Sequence, residues 1–402
     1  MKNNILIISY FLPPVLGAQS IQIGRLLYYY QMLSDDNIMV VSGMDCNSII
    51  DRNLYRGFSD KFSEHDIIYN KFLLPNFFHR IANKLIKWYG NYPDPYIWWC
   101  KRNYDYIQSK IIDKGVNKVV TFGQPMSDHI LGLKIKKNNK QVKWIAHFSD
   151  PWCDNTFRNN KKYDLLMETQ VIENADIIIF TSEETRQQVM RKYDTSYLSK
   201  TYILNHSFDS SCYPKTIVKK ETIFSYIGNF YGKRSPETLF RAIRILYDED
   251  PQLFTNISFQ IIGEISERFK FESWYREIPH DVVKIIGSVD YFTSLQYMVD
   301  SDCLIIIDAP ADENIFFPSK LADYIGSGKY IFGLTPNGTS RRIIKGFGYE
   351  CCNPMNINDI VFTLKRLLTE KLYLDYDINW EKRNNYSCEK NAKIFCDIIK
   401  NL

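Results

Sequence analysis

The sequence predicts an α/β protein of two doubly wound domains, each a parallel sheet covered by helices. Three observations predict it. Short β-branched runs of four to six apolar residues recur without polar alternation, as expected of strands buried on both faces. Helix-length segments separate many of these runs, which is the alternation that builds parallel sheets. The alternation also occurs twice, on either side of a stretch near 206–218 where Ser, Asp, Pro and Lys interrupt both patterns.

In the first half the strand-like runs are Ile5–Ser9, Ile38–Val41, Val119–Thr121, Val142–His147, Ile177–Phe180 and Tyr202–Leu204. In the second half they are Ile223–Ile227, Ile257–Ile262, Val283–Ile286, Leu304–Ile307 and Tyr330–Gly333. The clearest helical stretches are Ser20–Leu33, Asn159–Asn174, Pro236–Tyr247 and Tyr291–Val299. We expect an N-terminal domain over 1–207, a C-terminal domain over 208–380, and a final helix within 381–402 that returns toward the N-terminal domain. A length of 402 residues suits two large domains at about 150 residues each.

Composition removes several function classes. With 45% apolar and 24% charged residues the chain is neither disordered nor fibrous. No run approaches the roughly 18 apolar residues of a membrane span. The first strand starts almost at Met1, which leaves no room for a signal peptide and points to the cytoplasm. Nine scattered Cys without a C-x-x-C pair read as free thiols, with Cys351 and Cys352 too close for an ordinary bridge. The six His lack H-x-x-x-H or Cys/His spacing, so no zinc site is expected. Fifty basic against 46 acidic residues is too even a balance to point to nucleic acid.

Two such domains leave a cleft between the carboxyl ends of their strands, so function is sought in the turns there. The first turn, Tyr10-Phe11-Leu12-Pro13-Pro14-Val15-Leu16-Gly17-Ala18-Gln19, is stiffened by two prolines. Gly17 lets backbone approach a ligand just before a helix. The second turn, Gly228-Asn229-Phe230-Tyr231-Gly232-Lys233-Arg234, combines two glycines with a Lys point charge and an Arg fork, a pairing suited to a diphosphate. The third segment runs from Phe316 to Lys329. Pro318–Ser319 resembles a helix start, and Gly326 with Gly328 a helix stop. Lys320 then sits in the first helical turn, where the macrodipole disfavours a cation unless an anion binds there. Ser319 and Asp323 share a face one turn apart, which suits diphosphate at Ser319 and Lys320 and ribose hydroxyls at Asp323.

With these segments in view, the chain resembles the glycosyltransferase family 4-like group, of GT-B fold, over nearly its whole length. The marks are ISYFLPPVLGAQS, WIAHFSDPW at 144–152, YIGNFYGKRSPETL and FFPSKLADYIGSGK. The resemblance implies two Rossmann-like domains facing across a cleft, with the donor on the C-terminal one and the acceptor mainly on the N-terminal one. It implies a retaining hexosyltransferase with no required metal or other cofactor, using a nucleotide sugar, UDP-linked by family frequency. It implies a lipid-linked saccharide acceptor in surface polysaccharide synthesis (O-antigen, capsule or exopolysaccharide). On this resemblance Gly228, Asn229, Arg234, Gly263, Ser319 and Asp323 bind the donor, and Lys233 and Lys320 act on its phosphates. The second carboxylate of the family's E-x7-E motif falls on Asp323 and the first on Ile315, which is not acidic; the F-P-S-K-L-x-E-Y variant of the motif is the better match, with Lys320 as its phosphate contact. Gly17, Ala18 and Gln19 would form the acceptor-side loop.

The segment Trp144–Trp152 ends a buried strand and enters a turn, where His147 and Asp150 are candidate catalytic groups. Relatives commonly carry an acid at the position of His147. Residues 71–118 hold nine Lys/Arg against three Asp/Glu, interleaved with Trp88, Tyr89, Tyr92, Tyr96, Trp98 and Trp99. Basic residues beside interfacial aromatics suit a peripheral contact with anionic lipid on the inner face of the plasma membrane. Only one of Trp98 and Trp99 can face inward on a regular helix. Three rival readings use the same features: a nucleotide-sugar epimerase of the same fold, a glycogen-type phosphorylase, and a noncatalytic nucleotide-sugar-binding partner.

Overall fold

A computed structural model describes residues 2–46, 48–51, 55, 58–70, 93–155, 158 and 161–402. The chain divides into two compact units, Met1–Asn205 with Cys388–Leu402, and His206–Ser387.

The first unit holds a seven-stranded parallel sheet. Its strands are β1 (Asn4–Ile8), β2 (Asn37–Asp45), β3 (Glu64–Asn70), β4 (Lys118–Gly123), β5 (Lys143–Phe148), β6 (Ile177–Phe180) and β7 (Thr201–Ile203), in the order β3-β2-β1-β4-β5-β6-β7. All adjacent strands run parallel, with Ile5 opposite Ile38 and Lys118 on β1's two sides. The absence of polar alternation has a direct cause, because both faces are covered. Leu6 and Ile8 enter one core cluster with Met39, Val41 and Trp144. Ile5 and Ile7 enter the opposite one with Ile38, Val40 and Ile145. The helix Cys388–Lys400 completes that second layer by packing on the helix Ala18–Leu33, with the Phe395 ring 5.1 Å from the Tyr30 ring. The Lys118 ammonium donates to the Ile399 carbonyl and so caps a helix C-terminus with positive charge.

The second unit holds a six-stranded parallel sheet. It contains β8 (Thr222–Ile227), β9 (Ile257–Ile262), β10 (Val283–Gly287), β11 (Cys303–Ile307), β13 (Tyr330–Leu334) and β15 (Cys351–Cys352), in the order β10-β9-β8-β11-β13-β15. A two-residue pair, β12 (Glu313–Asn314) with β14 (Asn337–Gly338), stands beside it. All eleven strand-like runs of the sequence lie in sheet strands. Two strands of the large sheets are not among the runs, and both lie at sheet edges: β3, whose residues are mostly half-buried, and β15, which is only two residues long. All nine cysteines are free thiols.

Strand order reverses once in each unit, between β1 and β4 in the first and between β8 and β11 in the second. Loops leaving the carboxyl ends of neighbouring strands diverge at such a point, which opens a crevice for a ligand.

Candidate active site

In the second unit the crevice is formed by the turn after β8, the residue after β11, and the helix Ser319–Ser327. Tyr324 fixes that helix to the strand end, since its hydroxyl accepts from the Ile227 amide at 2.8 Å. Lys320, one turn earlier, is thereby held over Gly228. Its Nζ donates to the Tyr226 hydroxyl at 2.8 Å and stands 4.1 Å from the centre of that ring. The glycines beneath it are sterically required. Gly228 has φ of 140°, and a Cβ there would meet Lys320 Nζ at 2.6 Å. A Cβ on Gly263, with φ of 136°, would lie 2.2 Å from the Gly228 carbonyl oxygen. Gly263 thus acts by letting β9's turn approach the Gly228 turn, and Asn229 Oδ1 accepts from the Glu264 amide at 2.8 Å to lock the two together.

The helix carrying Lys320 begins at Ser319, is capped by Pro318 without a side-chain hydrogen bond, and ends at Gly328 with φ of 70°. No acid lies in its first turn, so its amide-end charge meets no carboxylate there. Burial pushes the Lys320 ammonium well below its usual pKa, with Arg234 adding to the shift and Asp308 opposing it. Arg234 stays charged: burial works against it, but Tyr226, Asp308 and Tyr231 hold its pKa above the ordinary value. Its Nη2 stands 3.9 Å from Asp308 Oδ1. Lys233, its neighbour, is exposed on the turn. Asp323 is buried at 5% exposure and accepts from the Tyr291 hydroxyl at 3.4 Å. Tyr213 binds its backbone carbonyl at 2.8 Å. The structure therefore gathers Lys320, Arg234, Gly228 and Gly263 at one crevice, with Ser319 and Asp323 on the helix that borders it. Ile315 holds the next helix instead, its carbonyl accepting from Thr339 Oγ1 at 2.8 Å.

In the first unit the crevice is lined by amide and carboxyl groups. Gln19 Oε1, in the first turn of the helix Ala18–Leu33, accepts from the Gln124 amide at 2.9 Å. The Gln124 side chain then donates to Asp150 Oδ2 at 3.0 Å. Three strand-end turns, after β1, β4 and β5, are linked this way. Gly17 is extended, with φ of 174°, and a Cβ there would meet no protein atom within 4 Å. Burial raises the Asp150 carboxyl to about 6. His147 lies near the end of β5, as the run Val142–His147 implies, is 5% exposed, and packs on Phe122 at 5.0 Å. Burial lowers its pKa to about 4, so it is neutral near pH 7.

A cavity of about 400 Å³ opens beside this relay, lined by Phe11, Gly17, Ala18, Gln19, Asp45, Tyr96 and Gln124. Asp45 accepts from the Tyr10 hydroxyl, and burial raises its carboxyl. Fully buried Asp128 accepts from the Tyr10 amide at 2.8 Å and holds the turn after β1. Buried Glu168 accepts from the Trp152 and Cys153 amides at 3.2 and 2.9 Å and so holds the turn that carries Asp150. Asp45, Asp128, Glu168 and Asp308 all escape a motif reading, because each acts through a partner distant in sequence. The one local signal was available for Asp308, a carboxylate directly after an apolar strand.

Of the basic aromatic stretch, Trp88, Tyr89 and Tyr92 lie outside the described residues. On the helix Ile97–Asp113, Trp99 is 2% exposed and Trp98 is 41% exposed, with Lys101 Nζ 4.5 Å from the Trp98 ring. Among the described residues of the stretch, three of its bases already have partners. Lys110 bridges Glu64 and Asp66, Lys114 meets Glu64, and Lys118 caps a helix. Among the described residues no helix is long and apolar enough to cross a membrane. Among them, too, no three His, Cys, Asp or Glu side chains converge to hold a metal ion.

No protein-family model and no curated protein matches the sequence. Solved structures do match, over the whole length. HepE of Anabaena, in complex with UDP and glucose, superposes with a TM-score of 0.68 at 10% identity, covering 100% of both chains. Sucrose-phosphate synthase from Thermosynechococcus elongatus gives 0.71 at 14% identity, covering 100% of this chain and 99% of its own. The lipopolysaccharide outer core galactosyltransferase WaaB gives 0.66 at 15% identity, covering 99% of each. The fold is GT-B. At these identities the likeness establishes architecture, and the GT-B scaffold leaves the chemistry to the two crevices.

Proposed function

We propose that the protein is a retaining glycosyltransferase that moves a hexose or N-acetylhexosamine from a nucleoside-diphosphate sugar to a saccharide acceptor. The observation that carries this reading is Lys320 held over Gly228 beside Arg234, at the strand-order reversal of the second unit. Two partly desolvated cations and a helix start without an acid suit a diphosphate. UDP is the first expectation, supported by a similar fold that is described with UDP and glucose.

In this reading the sugar C1–O bond to the diphosphate breaks, and the acceptor hydroxyl oxygen forms the new C1–O bond on the same face. The hydroxyl proton passes to the departing phosphate oxygen. Negative charge growing on that oxygen is stabilised by Lys320, Arg234 and the amides at Ser319, with Lys233 close to the phosphates from the exposed side of the turn. Asp323 receives ribose hydroxyls. Because these cations supply the charge, activity should survive excess EDTA, and loss restored by magnesium or manganese would show a metal in the reaction.

The acceptor is assigned to the first unit, where the cavity beside Gln19, Asp45 and Gln124 offers hydrogen bonds and the Phe11 and Tyr96 rings, a surface suited to a sugar. A lipid-linked acceptor in surface polysaccharide synthesis is supported by exposed Trp98 with Lys101 beside it and by the likeness to a lipopolysaccharide galactosyltransferase. The site of action would then be the cytoplasmic face of the inner membrane. The test is turnover of a panel of UDP-, GDP-, ADP- and dTDP-sugars, with and without undecaprenyl-diphosphate sugars. One donor should release its nucleoside diphosphate above background, faster with the right acceptor. Interconversion of the donor sugar would favour the epimerase reading, and binding without turnover the noncatalytic one.

A further inference from the structure

Asp308 is unusual for a buried carboxylate. It follows β11 directly, its amide donates to the Leu334 carbonyl at 3.0 Å, and it is 1% exposed. Among the described residues no donor lies within 3.5 Å in hydrogen-bonding geometry of either carboxylate oxygen, and the buried Arg234 Nε is likewise unmatched. Burial raises this carboxyl, while Arg234, the Ser340 and Asn314 side chains and Lys320 work against that rise. Leaving a buried carboxyl so loosely matched is costly, and folds tolerate such conflicts chiefly where function needs them. A structural ion pair would close to about 2.7–2.9 Å with two parallel bonds. The 3.9 Å between Arg234 Nη2 and Asp308 Oδ1 is instead a stand-off: near enough to aim the guanidinium, too far to saturate it. Asp308 also opposes the repulsion between Arg234 and Lys320, which share the Tyr226 side of the crevice.

We propose that Asp308 is a positioning residue for the donor diphosphate, a buried counter-charge that aims Arg234 inward and leaves its remaining N–H groups, with Lys320, for the phosphate oxygens. This rests on the nucleotide-sugar reading and extends it to a residue that touches no substrate. Simple electrostatics makes the opposite claim, because deleting an anion close to a diphosphate should tighten binding. The two ideas therefore differ in sign.

The experiment compares UDP and uridine binding by calorimetry in the unaltered chain and in Asp308→Asn, from pH 6.5 to 9. Positioning predicts that UDP affinity falls about tenfold at neutral pH, the scale of one weakened charge-assisted contact. The loss should widen toward pH 9. There Lys320, facing Tyr226 from β8, Arg234 from the turn and Asp308 from β11, sheds its proton earlier without the carboxylate. Uridine affinity should not change, whereas a merely structural defect would weaken both ligands alike. UDP binding that is unchanged or tighter overturns the proposal. Asp308→Ser gives a second route, and if neither variant folds without nucleotide, Asp308 serves the fold and the proposal is rejected. If the unaltered chain binds neither UDP nor any other nucleoside diphosphate, it is the transferase reading that fails.

Discussion

The two strand-order reversals share a topology and differ in chemistry. Between β1 and β4 the groups are amides and carboxylates with no cation among those named, and Gln19, Gln124 and Asp150 pass hydrogen bonds from one turn to the next. Between β8 and β11 they are charged and loosely matched, with Lys320 and Arg234 crowded together and the buried Asp308 held 3.9 Å from Arg234. A crevice of linked amides and carboxylates suits hydroxyl groups, whose recognition is directional and uncharged. A crevice of frustrated charges suits a polyanion that completes it. The contrast teaches that the scaffold places a ligand, while the local balance of charge selects its class.

The largest expected effect is on the charged crevice. Lys320→Ala should weaken nucleoside-diphosphate binding by roughly 10- to 150-fold, the equivalent of about 1.5–3 kcal/mol for a charge-assisted contact. Thermal stability should change little, because the ammonium's hydrogen bond is to a single hydroxyl, that of Tyr226. Calorimetry and thermal unfolding check the two halves separately.

Next comes the glycine pair that separates the crevices. Gly263→Ala forces a Cβ to within 2.2 Å of a backbone oxygen at positive φ, and should cost about 1–3 kcal/mol of stability along with nucleotide affinity. Gly17→Ala meets open space in extended backbone and should stay within about 0.5 kcal/mol in stability. A fall in acceptor-dependent rate without a change in stability would place a ligand at Gly17. Chemical denaturation decides between these outcomes.

Asp150 sharpens the comparison through pH. Its folded carboxyl titrates near 6, above the value of about 3.9 expected unfolded. The folded state therefore holds this proton more tightly, and the group removes stability as pH rises from about 4 through about 6. Asp150→Asn should abolish that slope in thermal unfolding. It should also flatten any rise of acceptor-dependent rate through pH 6 and lower the rate about tenfold, while leaving UDP affinity unchanged, as the loss of one hydrogen-bonding carboxylate predicts. An equal loss of UDP affinity would erase the distinction between the crevices.

The smallest effect expected is at the surface. Association with anionic vesicles should fall as salt shortens the Debye length from about 10 Å at 0.1 M to 3 Å at 1 M. Lys110 and Lys114 are already paired to acids and should add little to the salt-sensitive part. Equal binding to neutral and anionic vesicles would remove it.

Much of the fold was legible because burial on both sheet faces writes itself as unbroken β-branched runs, as in Ile5–Ile8 and Leu304–Ile307. Local chemistry was legible too: Pro318 before Ser319, and Gly328 after the helix, mark ends that any chain must signal nearby. Lys320 stood out because it breaks a helix-dipole rule within four residues. The remaining groups were hidden for a physical reason. Asp308 matters only beside Arg234, 74 residues earlier in number, and Glu168 only against the amides of Trp152 and Cys153. His147 shows the converse, since a strand-end position in sequence proved to be interior, where burial keeps the ring neutral.

The central claim is that the charged crevice is the diphosphate site, and a crystal structure of the full chain with UDP tests it most directly. The account predicts the diphosphate within hydrogen-bonding distance of Lys320 and Arg234, with the ribose hydroxyls at Asp323. UDP bound with its phosphates away from both cations, or seated at the Gln19–Gln124–Asp150 relay, would contradict it.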